Sequence, residues 1–286
     1  MKYAIWGMGL LGTSLALDLK RNGHDVLCIL RSNRSRELLQ KLGFQEILLT
    51  SEITNSSVFE KCDGIIIGTP VEQVFSILES LQQIDLSSSV WVTDMASTKA
   101  ELMIKVEQSY SNLSFIGSHP MAGSDQSGPQ HGREWLFKDA TIYITPAEGS
   151  PQNLLDSIKT FWSGVSGLPV EVSYQEHDKW AAYLSHGLHL ISCFVSLLIE
   201  DVPGVLTVNA NPAGGSFRDI TRVSGSNPEL WDGIIKSNKK EVIDYLKRFE
   251  QLLAESRAGI EDDSTSIKVL FEKAAEFREK IVMENI

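Results

Sequence analysis

The sequence predicts an α/β protein in two parts: a doubly wound parallel sheet over residues 1–174 and an all-helical domain over residues 175–286. Three observations predict it. Short β-branched runs alternate with amphipathic stretches through the first half, and a glycine-rich turn, Gly7-Met8-Gly9-Leu10-Leu11-Gly12, follows the first run directly. Beyond about Tyr174 the apolar pattern becomes helical to the end.

Taken in order, Tyr3–Trp6 reads as the first strand and Thr13–Asn22 as the helix after the glycine turn, the arrangement of a Rossmann-type dinucleotide-binding domain. Gly7 makes the tight turn, Gly9 admits a pyrophosphate to the backbone, and Gly12 lets the helix pack closely, with its N-terminus toward the phosphates. Val26–Leu30 is the second strand, followed by a helix over Arg34–Leu42. Gly64–Gly68 and Val90–Thr93 are strands, each followed by a helix, Val71–Gln83 and Thr98–Tyr110. In the first of these helices Val71, Val74, Phe75, Leu78 and Leu81 share one face. Phe115–Gly117, Ile142–Thr145 and Pro169–Tyr174 complete the strands, and strict alternation implies parallel pairing throughout.

The helical half begins with His177–Glu200, stopped by Asp201, Pro203 and Gly204. A stretch rich in Gly, Asn, Ser and Pro, Asn209–Ser226, precedes a helix started by Pro228 and two more over Asn238–Arg257 and Asp262–Met283. Ile235, Val242, Ile243, Leu246, Phe249 and Leu253 present more apolar surface than one layer of helices covers, which predicts a homodimer through the C-terminal helices.

Composition sets limits. Apolar content of 42% and charged content of 22% are ordinary for a globular chain, and a net charge of −11 argues against a nucleic-acid partner. Cys28, Cys62 and Cys193 are scattered and lack metal-ligand spacing, so they read as thiols in a reducing, cytoplasmic setting with no metal site. A strand beginning at Tyr3 leaves no room for a leader, and Ser185, His186, His189 and Ser192 interrupt the most apolar helix, so no membrane partner is expected.

The second strand ends on Arg31, with Ser32 and Arg34 close behind, where a carboxylate would be needed to bind the ribose hydroxyls of NAD. A guanidinium and a hydroxyl suit a 2′-phosphate, so the expected cofactor is NADP. Thr69, Pro70 and Ser97 close later strands at the same sheet edge. The segment Phe115–Pro129 delivers His119 to a strand tip beside a loop, making it a candidate general base within hydrogen-bond reach of Ser97. Ser185 and His189 lie four apart on one helix face, as do Arg218 and Arg222 if that segment is helical. His186 lies about 100° away and is assigned to structure; His177 and Asp178 are read as opening their helix. Two arginines, two hydroxyls and two imidazoles around one crevice suit a small substrate with two carboxylates.

These residues carry a resemblance. Through G-M-G-L-L-G, T-D-M-A-S-T-K, G-S-H-P-M-A-G, H-D-x-x-x-A-x-x-S-H-x-x-H at 177–189 and G-G-S-F-R-D-I-T-R at 214–222, followed by N-P-E-L-W, the chain resembles the prephenate and arogenate dehydrogenases of tyrosine biosynthesis over essentially its whole length. The resemblance implies NAD(P)-dependent oxidative decarboxylation by a Rossmann domain joined to a helical dimerisation domain. It implies that His119 accepts the hydrogen bond of the ring hydroxyl with Ser97 orienting it, and that Arg222 grips the ring carboxylate. By the same resemblance His189, Ser185, Arg218 and Trp231 lie near the substrate, and Ser124 contacts its side chain. Asp125 leans toward the ammonium of arogenate over the pyruvyl group of prephenate. Two other readings fit the cofactor turn: a β-hydroxyacid dehydrogenase, which would carry a lysine where this chain has Ser185 and His189, and a non-catalytic NADP-sensing protein with no need of His119.

Overall fold

A computed structural model of the chain describes residues 1–124, 126–205, 213–262 and 265–283. Five parallel strands form the first sheet in the order β3-β2-β1-β4-β5: β1 (Lys2–Trp6), β2 (Asp25–Leu30), β3 (Ile47–Leu49), β4 (Gly64–Ile67) and β5 (Trp91–Asp94). Helices α1 (Leu10–Arg21), α2 (Arg36–Lys41) and α3 (Val71–Gln83) make three of its crossovers, two 3-10 turns span the one from β3 to β4, and α4 (Ala100–Ser109) leads out of β5. The order reverses between β1 and β4, which pair directly with Trp6 opposite Ile67. The crevice beyond their carboxyl ends is where sheets of this topology hold ligands.

Alternation along each strand divides the core in two. Tyr3, Ile5, Cys28, Leu30 and Ile66 face α1 and the second sheet, whereas Ala4, Trp6, Leu27, Ile29, Ile65 and Ile67 face the layer that includes α3 and α4. Both faces are covered, so these strands are apolar throughout. Complete burial of Ile65, Ile66 and Ile67 contributes about 1.5–3 kcal/mol each.

The remaining strands depart from the expected single parallel sheet. β6 (Gly117–Pro120), β7 (Thr141–Thr145) and β8 (Leu168–Glu171) form a second sheet in which β6 and β7 are antiparallel. The reason is the connection. Between Pro120 and Thr141 runs a loop with one short 3-10 turn and, among the described residues, no crossover helix, so the chain returns antiparallel. Parallel pairing resumes from β7 to β8 across α5 (Gln152–Gly164), a helix the sequence reading omitted although Leu155, Ile158, Phe161 and Trp162 are buried at helical spacing.

After β8 every described element is helical: α6 (Tyr174–Ala181), α7 (Gly187–Leu198), α8 (Gly215–Thr221), α9 (Pro228–Ser237), α10 (Lys239–Glu261) and α11 (Ser266–Met283), with short 3-10 and π turns between some of them. A five-residue π turn, Ala182–His186, joins α6 to α7 in one continuous helix. By length and composition it is the one helix among the described residues that could cross a membrane. Its polar residues His177, Asp178 and His186 are nevertheless buried against neighbouring protein. Two compact units result, Met1–Lys239 and Lys240–Ile286. Within the second, Leu253, Ile260, Phe271 and Phe277 are exposed.

Candidate active site

The glycine turn takes its shape from close approaches. Gly7 has φ of +108°, and a Cβ there would stand 2.8 Å from the Gly68 carbonyl, so the ends of β1 and β4 meet without side chains between them. At Gly12 a Cβ would stand 2.0 Å from the Gly7 carbonyl oxygen. Over Gly9 nothing lies within 4 Å. Helix α1 starts there with no side-chain cap and no acidic residue in its first turn, leaving its first amide donors open to an anion. Leu10 and Leu11 stand in that first turn, and Met8 is buried in the core beneath it.

At the end of β2, Arg31 is exposed and has no hydrogen bond or ion pair among the described residues, and the same is true of Arg34. Ser32 begins the 3-10 turn Asn33–Ser35 and makes no cap bond with its hydroxyl. Arg36, by contrast, is tied to the Asn33 side chain and the Ile47 carbonyl. Two exposed cations therefore stand just beyond the carboxyl end of β2.

Adjoining the turn is a cavity of about 660 Å³, lined by Gly9, Leu10, Leu11, Thr69, Pro70 and Ser97 on the sheet side. His119, Ser124, Ser185, His186, His189, Arg222 and Trp231 line it elsewhere. Asp125 lies outside the described residues. Arg218 does not line the cavity; it is exposed and its guanidinium donates to the Ala213 carbonyl at 3.0 Å. The helix carrying Arg218 ends at Thr221, so Arg222 starts a 3-10 turn and the two do not share one α-helical face.

His119 is the third residue of β6, 7% exposed. The expected hydrogen bond to Ser97 is absent: Ser97 is half-buried in the cavity wall with no partner for its hydroxyl among the described residues. His119 instead pairs through Nδ1 with Nε2 of His177 at 2.9 Å, and His177 Nδ1 lies 2.7 Å from Asp178 Oδ1. Both partners stand on α6, one turn after its start, so the reading that they merely open the helix is corrected; Ser173 is the cap there. Asp178 also accepts from the backbone amides of Lys99 and Ala100 at 2.7 and 2.8 Å, capping α4 from another helix.

Behind β6 lies a fully buried ion pair between Lys99 and Asp94, whose carboxylate also accepts from the amides of Ala96 and Ser118. Every oxygen has a donor, which lets the charge persist without water. Burial, His177, Lys99 and His186 all push the His119 imidazole well below its ordinary range, so it is neutral at pH 7.

The long helix supplies two more imidazoles. His186 is buried and pushed down to about 4 by desolvation. Its Nδ1 accepts from the Asn238 amide at 3.1 Å, which places its proton on Nε2, a buried atom with no partner among the described residues. The structural assignment of His186 is thus incomplete, because it is also part of the cavity wall. His189 donates from Nδ1 to the Ser185 carbonyl at 3.0 Å and stacks on Trp231 with ring centroids 3.5 Å apart. Its Nε2 is left as an acceptor. The cavity therefore joins an uncapped helix N-terminus to a neutral imidazole, a ring N–H donor, a ring nitrogen acceptor and the arginine Arg222.

Two family models match successive parts of the chain. The family model described as prephenate dehydrogenase, nucleotide-binding domain, matches residues 15–170, and the one described as prephenate dehydrogenase, dimerization domain, matches residues 173–273. A prephenate dehydrogenase of Bacillus subtilis (strain 168) is 30% identical over 277 residues, 96% of this chain and 74% of that protein. The crystal structure of Synechocystis arogenate dehydrogenase matches with 27% identity and a TM-score of 0.82, covering 99% of this chain and all of that one. The prephenate dehydrogenase of A. aeolicus in complex with hydroxyphenyl propionate and NAD+ matches with 26% identity and a TM-score of 0.85, covering 99% and 98%.

Proposed function

The chain belongs to the prephenate dehydrogenase family, and on that premise we propose that it oxidatively decarboxylates prephenate, arogenate or both, with NADP as cofactor. One observation carries the reading: a buried, neutral imidazole lines the same cavity as an uncapped glycine-turn helix. The residues present fit a dinucleotide, because the space over Gly9 is open and the amides of α1 are unopposed by acid. When bound, the nicotinamide supplies the hydride acceptor.

The chain's own residues do the rest. With Nδ1 engaged by His177, His119 has Nε2 left to take the proton of the ring hydroxyl. Loss of that proton raises electron density at the ring carbon from which hydride departs. Carbon dioxide leaves from the ring, which becomes aromatic, so the step does not reverse. Arg222 holds the ring carboxylate as a charge-assisted pair, and the stack of Trp231 on His189 fixes an acceptor beside it. Ser97, Ser124 and Ser185 supply hydroxyls around the substrate.

Arg31, with Ser32 and Arg34, supports NADP over NAD, since all three side chains lack partners among the described residues. The description of the C-terminal family model and the exposed Leu253, Ile260, Phe271 and Phe277 support a homodimer. Three unpaired cysteines, with burial pushing Cys28 up to about 12 and Cys62 up to about 11, support a cytoplasmic setting.

The test is purified protein assayed with prephenate and arogenate, each with NAD and NADP, beside His119→Asn. Turnover should fall about 10²- to 10⁴-fold in that variant with modest change in KM. Undiminished turnover would remove His119 from the mechanism.

A further inference from the structure

We propose that His177 and Asp178 are a positioning pair that locks His119 in the Nδ1–H tautomer and so presents an unprotonated Nε2 to the substrate. The proposal rests on His119 being the base. It follows from donor and acceptor roles along a chain of buried groups. Asp178 accepts from the amides of Lys99 and Ala100, which can only donate, so its carboxylate is held as an acceptor at the start of α4. His177 Nδ1, 2.7 Å from that carboxylate, must then carry the proton.

A neutral His177 with its proton on Nδ1 has only a lone pair on Nε2. His119 Nδ1, 2.9 Å away, is therefore the donor of the next bond, and its own lone pair is left on Nε2. His177 is wholly buried and Asp178 is 2% exposed, so water does not compete for either bond. Charged neighbours do not reverse the order: Lys99 is neutralised by Asp94, and His186 is satisfied at Nδ1 by Asn238. Burial keeps His177 neutral although Asp178 pulls the other way.

Orientation is fixed as well. The two imidazole rings meet edge to face with centroids 5.0 Å apart, and Tyr143, paired with His119 in the β6–β7 register, packs against the His177 ring at 5.4 Å. Once His119 accepts a proton, its Nδ1–H bond to His177 becomes charge-assisted, and the Asp178 carboxylate lies one ring further along. The pair thereby favours the protonated state that forms during reaction without touching the substrate.

Two measurements test this. In the unmodified protein, long-range nitrogen–proton NMR of assigned histidines at pH 7.5 should show His119 and His177 both as Nδ1–H tautomers; an Nε2–H signal for His119 overturns the proposal, with no variant needed. Kinetically, His177→Phe should lower kcat by roughly tenfold to a hundredfold with KM nearly unchanged. His177→Gln, whose amide oxygen can accept from His119, should recover most of that loss. Wild-type kcat and an unchanged His119 tautomer in His177→Phe overturn the pair. Full turnover in His119→Asn instead overturns the general-base reading beneath it, so the two failures are distinguishable.

Discussion

Acid should unfold this protein through its imidazoles, and His186 gives the size of the effect. Its folded value is pushed down to about 4, chiefly by desolvation, with Asp178 opposing and His177 and His189 adding to the shift. In the unfolded chain an imidazole titrates near 6.5. Between those values the unfolded state binds more protons, so stability rises with pH there. The contribution is fully present above about pH 6.5 and is lost as pH falls toward 4. At about 1.36 kcal/mol per unit, His186 alone removes about 2 kcal/mol between pH 8 and pH 5 and about 3 kcal/mol by pH 4. His119, His177 and His189 are shifted in the same direction and steepen the loss. Against a typical stability of about 5–15 kcal/mol, that is a large fraction. Urea unfolding at pH 8 and pH 5 measures it, with His186→Gln as the control. The amide keeps a partner for Asn238 but does not titrate, so the variant should lose about 2 kcal/mol less between the two pH values. An equal loss in both proteins would show that His186 is not held neutral by the fold.

Three further outcomes are expected. Arg31→Ala should raise the KM for NADP at least about tenfold while barely changing that for NAD, because one charge-assisted bond to the 2′-phosphate is worth about 1.5–3 kcal/mol; initial rates with both cofactors check it. Arg222→Ala should raise the KM for prephenate or arogenate about tenfold or more with a smaller change in kcat, read from saturation curves, because Arg222 lines the cavity and is proposed to hold the ring carboxylate. Gly12→Val should abolish dinucleotide binding and lower the melting temperature by several degrees, measured by calorimetry and fluorescence titration, since its Cβ would overlap the Gly7 carbonyl oxygen at 2.0 Å.

Local signals in the sequence were strong enough for most of the sheet domain. β4 is legible as I-I-I because a parallel strand buried on both faces must be apolar throughout, and the glycine turn is legible because it sits between a strand and a helix. The reversal of β7 was not legible, because pairing direction depends on what connects two strands, and the segment from Met121 to Ala140 has no pattern of its own. β3 was missed for a related reason: three residues are too few to establish a period.

The residues that gather around His119 pose a harder problem, since they come from parts of the chain with no local sign of one another. His119 and His177 are 58 positions apart, and Lys99 and Asp178 are 79. The long helix adds a second obstacle. At 100° per residue, His189 falls about 120° around the helix from His177, so a regular wheel separates them. A π turn sets the following residues back by about one residue, which brings His189 to within about 20° of His177. Both can then face the sheet domain, one against His119 and the other in the cavity wall. A residue deleted from Ala182–Leu184 would restore the regular helix and rotate one set of imidazoles away from the other. Such a deletion should therefore abolish turnover while leaving the apolar sheet core, whose side chains lie elsewhere, able to fold.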